Sequence, residues 1–127
     1  MLFRSRGFSR ELQAAQDTLS QITGQTPQFF RAPAGIRSPL LDPVLTRLGL
    51  RLASWSVRGF DTRIGDVTRV KNSLLRGLQA GAILLLHDGN AARTPQGIPV
   101  ILEVLPTVLA AARAANLRFI TLRQALA

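Results

Sequence analysis

Ala82-Ile83-Leu84-Leu85-Leu86-His87-Asp88-Gly89 is the stretch that decides the fold. Five apolar residues follow Gly81 and stop at the chain's one histidine, with an aspartate and a glycine behind it. An apolar run that short, with glycine at both ends, reads as a strand buried on both faces, as in parallel sheets covered by helices. His87 then stands at the strand's carboxyl end, where α/β barrels and open parallel sheets bind ligands and do chemistry. An imidazole there can exchange a proton near neutral pH. It can equally close a strand by hydrogen-bonding a nearby carbonyl.

Outward from this strand, helical and extended patterns alternate. Upstream, Ser9 is a candidate cap for a first helix in which Leu12, Ala15, Leu19 and Ile22 recur at helical spacing until Gly24. Gln28 to Arg31 reads as a short strand that delivers Arg31 into the loop Ala32-Pro33-Ala34-Gly35. Ser38-Pro39 supplies a cap and a first-turn proline for a second helix, with Leu41, Val44, Leu45 and Leu48 inward and Gly49 as its stop. Leu50 to Val57 is the next strand, running into Arg58-Gly59-Phe60-Asp61-Thr62. Asp66 opens a third helix with Val67, Val70, Leu74 and Leu78 inward, and Gly81 closes it. Downstream of His87, the loop Gly89 to Gly97 leads to a fourth helix with Ile101, Leu105, Val108 and Ala112 facing in. Asn116 ends that helix, Leu117 to Leu122 reads as a last strand, and a short helix begins at Arg123. The order predicts an α/β fold of parallel strands joined by right-handed crossover helices. Arg31, Asp61 and His87 all lie at strand ends, and in a parallel sheet such ends share one edge. Taken singly, Arg31 can bridge a helix end and Asp61 can cap the third helix.

Composition narrows the function. A length of 127 residues suits one domain and is about half of what a complete α/β barrel needs. With 46% hydrophobic and 18% charged residues the chain is globular in composition. It has no cysteine, which excludes disulfides and thiolate metal sites. One histidine and seven carboxylates make a poor ligand supply for a metal site. The net charge of +9 is almost entirely arginine, spread singly from Arg4 to Arg123, with Lys71 the one lysine. Without a basic run or interleaved aromatics, this pattern favours a solvated arginine-rich surface over nucleic-acid binding. Met1 to Gly7 contains no apolar core of a secretory signal, and no run approaches the ~20 apolar residues of a membrane span.

Three of these segments resemble motifs of the polysaccharide deacetylases of the NodB-homology, carbohydrate esterase type. Arg31-Ala32-Pro33-Ala34-Gly35 resembles that family's Arg-x-Pro-aromatic-Gly motif, with Ala34 in place of the aromatic. Trp55-Ser56-Val57-Arg58-Gly59-Phe60-Asp61 resembles the segment supplying a tryptophan and an aspartate, with Thr62 where tryptophan is common. Leu84-Leu85-Leu86-His87 resembles the closing Leu-x-Leu-His motif. The family's two earlier motifs, Thr-Phe-Asp-Asp and His-Ser/Thr-x-x-His, do not occur in the sequence.

The resemblance implies the C-terminal half of a distorted (β/α)7 barrel: residues 1–127 as a partial deacetylase domain without the N-terminal metal-binding motifs, from a truncated gene product or an internal start. It implies a metal-dependent hydrolysis of acetyl groups on N-acetylated glycans, with a zinc-like divalent metal in the complete domain and no cofactor held by this chain alone. It implies His87 as general acid, Asp61 as the carboxylate that orients it, and Arg31 as partner of the catalytic carboxylate. It also implies Trp55 and Leu86 around the acyl methyl group, and Pro33 and Gly35 beside the glycan. Members of the family are often exported or envelope-associated. The chain alone is expected to be inactive, lacking the metal ligands and the base. The alternative is a non-catalytic carbohydrate- or partner-binding remnant that self-associates through an open sheet edge near Phe29.

Overall fold

Two parallel strand pairs organise the chain, each held within one of two units, Met1–Ser54 and Trp55–Ala127. The computed structural model describes residues 5–36 and 38–127.

In the first unit, α1 (Ser5–Thr23) leads to β1 (Phe29–Phe30), a 3-10 turn at Pro33–Gly35, α2 (Leu41–Arg47) and β2 (Arg51–Leu52). The strands pair in parallel, Phe29 with Arg51 and Phe30 with Leu52. Their core is Leu12, Ala32, Leu41, Val44, Leu45 and Leu50, with Phe8, Phe30, Leu48 and Leu52 packed against it. Several expectations need correction here. Helix α1 already includes Ser9, because Phe8 docks edge-to-face on Phe30 with ring centroids 6.3 Å apart and holds the extra turn. Of its expected apolar stripe only Leu12 is buried; Leu19 and Ile22 are 48% and 76% exposed. Ser38 lies two residues before the capping position of α2, which is Leu40. Its hydroxyl accepts the Leu40 N–H in a turn, and α2 follows. Gly49 does end α2: its positive φ lets the Leu50 N–H reach back to the Leu45 carbonyl.

In the second unit, β3 (Val57–Arg58) is followed by α3 (Val67–Leu75), β4 (Leu84–Leu85), α4 (Val100–Ala114) and α5 (Leu122–Ala125). Strands β3 and β4 pair in parallel, Val57 with Leu84 and Arg58 with Leu85. Helices α3 and α4 meet over Val70, Leu74, Val100, Val104 and Val108, all fully buried, and Val57, Leu84 and Leu86 pack against that cluster. Asp66 caps α3 as expected, its carboxylate accepting the Arg69 N–H at 2.9 Å. The helix ends at Leu75, short of Gly81, because the chain must pass Val57 closely at Gly77: a Cβ there would lie 2.3 Å from a Val57 methyl. On α4, Leu105 is exposed and Val100 and Val104 take the inward places.

Two strand expectations fail. The run Leu50 to Val57 is broken between β2 and β3, because its halves pair with different strands. Leu117 to Leu122 forms no strand. The Leu117 N–H remains bonded to the Ala112 carbonyl at the end of α4, with Asn116 left-handed, and Phe119 and Ile120 are more than half exposed. Thr121 and Gln124 then form a reciprocal capping box for α5. No described helix is long and apolar enough to cross a membrane.

Candidate functional site

Asp61 lies in the turn between β3 and α3 and is wholly buried. Removing a carboxylate from water is costly unless its oxygens are occupied. Both are. One oxygen, Oδ2, accepts the backbone N–H of His87 at 2.7 Å, and the other, Oδ1, lies 3.0 Å from Nδ1 of the same residue. The aspartate thus fixes both the main chain at the end of β4 and the ring beyond it. The His87 side chain is 39% exposed, so the edge of the ring away from Asp61, with Nε2, is the accessible one. A carboxylate oxygen accepts, so the contact is a hydrogen bond when Nδ1 carries the ring proton. In the neutral ring Nε2 accepts, and in the imidazolium it donates.

The surrounding loops are tied to this pair by the backbone. Phe60, at φ 58, turns the chain so that its carbonyl accepts the N–H groups of Arg63 and Ile64 and Asp61 swings inward. The Ala92 N–H, in the loop after His87, bonds the Asp61 carbonyl at 2.7 Å, and the Val100 N–H bonds the Ala92 carbonyl. Gly65 allows this loop to approach, since a Cβ at that position would meet the Arg93 carbonyl oxygen at 2.1 Å. The strand-capping alternative for His87 and the helix-capping alternative for Asp61 therefore yield to a side-chain pair, and Asp66 does the capping.

Of the residues singled out by sequence, Asp61 and His87 come together directly. Trp55 is half-buried at the start of the second unit, and Leu86 is half-buried against the α3–α4 cluster. Arg31, Pro33 and Gly35 belong to the first unit: Arg31 is exposed just beyond β1, and the other two form the ends of the 3-10 turn. Pro33 also borders a cleft of about 430 Å³ with Phe8, Leu12, Phe30 and Leu41. Sequence reasoning missed the side chains beside Trp55. The Arg58 guanidinium sits 4.4 Å from the Phe60 ring centroid and 5.9 Å from that of Trp55. The available signal was the spacing Trp-x-x-Arg-x-Phe.

The donor set does not fit the divalent metal expected from the resemblance. The sequence holds one histidine and no cysteine, and no group of three or more potential ligands converges among the described residues. His87 Nδ1 is moreover committed to Asp61.

No family model matches the chain. In sequence it is 36% identical over 80 residues to the chitooligosaccharide deacetylase of Azorhizobium caulinodans, a match covering 62% of this chain and 38% of that protein. A second chitooligosaccharide deacetylase, from a Bradyrhizobium strain, is 35% identical over 78 residues and is covered to 36%. The chain therefore spans well under half the length of these relatives. In fold it is similar to a family 4 carbohydrate esterase from Streptomyces lividans solved with acetate, with a TM-score of 0.77 at 23% identity over 91% of this chain and 55% of that one. A family 4 pseudoenzyme from Bacillus anthracis gives a TM-score of 0.77 at 17% identity over 92% of this chain and 38% of that one.

Proposed function

For this chain, a homologue of the polysaccharide deacetylases, we propose that it carries the proton-donating part of a site that hydrolyses acetyl groups from N-acetylated glycans. The observation that carries the reading is the double contact of a buried aspartate with His87, which leaves one imidazole nitrogen accessible. Breaking an amide C–N bond leaves an amine that must gain a proton as it departs. An imidazolium donating from Nε2 meets that need, and Asp61 holds both its orientation and its charge through Nδ1. In the same reading Arg31 pairs with the carboxylate that activates water in the complete site, Trp55 and the exposed part of Leu86 receive the acyl methyl group, and Pro33 and Gly35 border the glycan. The names of these relatives point to chitooligosaccharides as the class of substrate.

A polypeptide of these 127 residues alone does not complete the reaction in this reading, since its donor set does not fit the metal on which the complete domain depends. The fold itself is compatible with inactivity, as the pseudoenzyme neighbour illustrates. The test is acetate release from N-acetylglucosamine oligomers by the purified chain, with and without added zinc. None is expected, and measurable metal-dependent release overturns the claim.

One observation favours a second reading, a remnant that self-associates through an open edge. Strand β1, with Phe29 and Phe30, pairs with β2 alone among the described residues, which leaves its other edge open. Unpaired extended backbone is a template for pairing. Light scattering decides it: a dimer at micromolar concentration supports this reading, and a monodisperse monomer removes it.

A further inference from the structure

Arg58 and Phe60, next to Trp55, form a feature to which the Asp61–His87 chemistry gives no role. Arg58 is exposed, its guanidinium is 4.4 Å from the Phe60 centroid and 5.9 Å from that of Trp55, and no carboxylate pairs with it among the described residues. A guanidinium held against aromatic rings is restrained in orientation while its in-plane N–H donors stay available at the rim. Such a group is suited to receive a planar or tetrahedral oxyanion through paired hydrogen bonds.

Its place in the fold gives that capacity a purpose. Arg58 is opposite Leu85 in the β3–β4 ladder, and Leu85 is two residues before His87. The neighbours Val57, Leu84 and Leu86 pack toward α3 and α4, so by alternation Arg58 and His87 share the other face. From strand spacing and rise, their Cα atoms are roughly 8 Å apart. Phe60 is joined directly to Asp61, and its left-handed backbone keeps 42% of its residue surface exposed beside the buried carboxylate. A net charge of +9 adds a field that draws anions toward the chain.

We propose that the Trp55–Arg58–Phe60 stack is a subsite for an oxyanion, carboxylate or phosphate, borne by the glycan next to the sugar whose acetyl group reaches His87. The inference rests on the deacetylase reading of His87 and narrows its substrate to acidic N-acetylated glycans. Arg58 is in this account a specificity-determining residue: it selects the substrate and takes no part in proton transfer.

Trp55 is the only tryptophan, so its emission reports occupancy of the stack. Three oligosaccharides of equal length are titrated into the full chain: neutral N-acetylglucosamine units, N-acetylglucosamine alternating with glucuronate, and N-acetylglucosamine units bearing phosphate. At least one anionic form should bind about tenfold more tightly than the neutral one, the size of a charge-assisted hydrogen bond. Which anionic form it is distinguishes carboxylate from phosphate. Arg58→Gln should remove the preference, and Arg58→Lys should restore part of it by charge without the planar fork. Circular dichroism checks that both variants are folded. Equal affinities for all three sugars, or a preference that survives Arg58→Gln, overturn the subsite while leaving glycan binding and the deacetylase reading intact. Failure of all three sugars to bind the folded chain overturns both.

Discussion

The two units of this chain share a plan of parallel strands and covering helices but differ in how completely the plan is carried out. In the second, Val70, Leu74, Val100, Val104 and Val108 are sealed between α3 and α4, and the same unit buries an aspartate without leaving either oxygen idle. In the first, the long helix α1 commits one leucine to the core and leaves Leu19 and Ile22 outside it. Buried polar groups need rigid surroundings, because a partly satisfied carboxylate in a loose core destabilises it. The dense helical core and the Asp61–His87 pair therefore belong together. The exposed strand end and 3-10 turn of the first unit demand less of the packing beneath them.

Breaking the comparison at its functional end should give the largest effect. In a polypeptide joining these residues to an upstream half that restores activity, His87→Ala should lower kcat about 10²–10⁴-fold, the usual worth of a positioned proton donor. Retained activity would show that another group protonates the leaving nitrogen. Next comes the packing itself. Leu74→Ala, at a fully buried position, should cost about 2–5 kcal/mol in denaturant unfolding, whereas Leu19→Ala on the exposed side of α1 should fall within about 0.5 kcal/mol. Equal costs would erase the distinction between the units. Asp61→Ala strands the His87 N–H and should cost about 1–3 kcal/mol, with loss of amide-exchange protection at His87 as a local readout. The smallest effect sharpens the local account. Asp66→Ala removes the α3 cap and should cost about 1 kcal/mol without altering the ring of His87.

Much of this was legible in the sequence for specific physical reasons. The strand before His87 announced itself because glycine bounds it and its apolar run has no helical period. Asp66 is a strong cap in any context, and Gly49 and Asn116 are residues that tolerate the left-handed backbone their helix ends require. The juxtaposition of Asp61 and His87 followed from strand ends sharing an edge, although their double contact did not: it depends on the left-handed turn at Phe60, a conformation that a phenylalanine does not advertise. The failures share a cause as well. Leu117 to Leu122 has strand-like residues, but a strand needs a partner, and the backbone at Leu117 is held by the end of α4 instead. Leu19 and Ile22 have helical spacing, yet periodicity says which side of a helix is apolar and not whether anything covers it.

The central claim is that Asp61 holds His87 with Nδ1 engaged and Nε2 as the working nitrogen. Because the chain has a single histidine, nitrogen-15 NMR of the imidazole reads this without assignment ambiguity. The account predicts that the neutral ring is the Nδ1–H tautomer and that Asp61→Ala shifts the population away from it. A neutral ring protonated at Nε2, or a tautomer unchanged by Asp61→Ala, would contradict the pairing on which the proposed proton transfer rests.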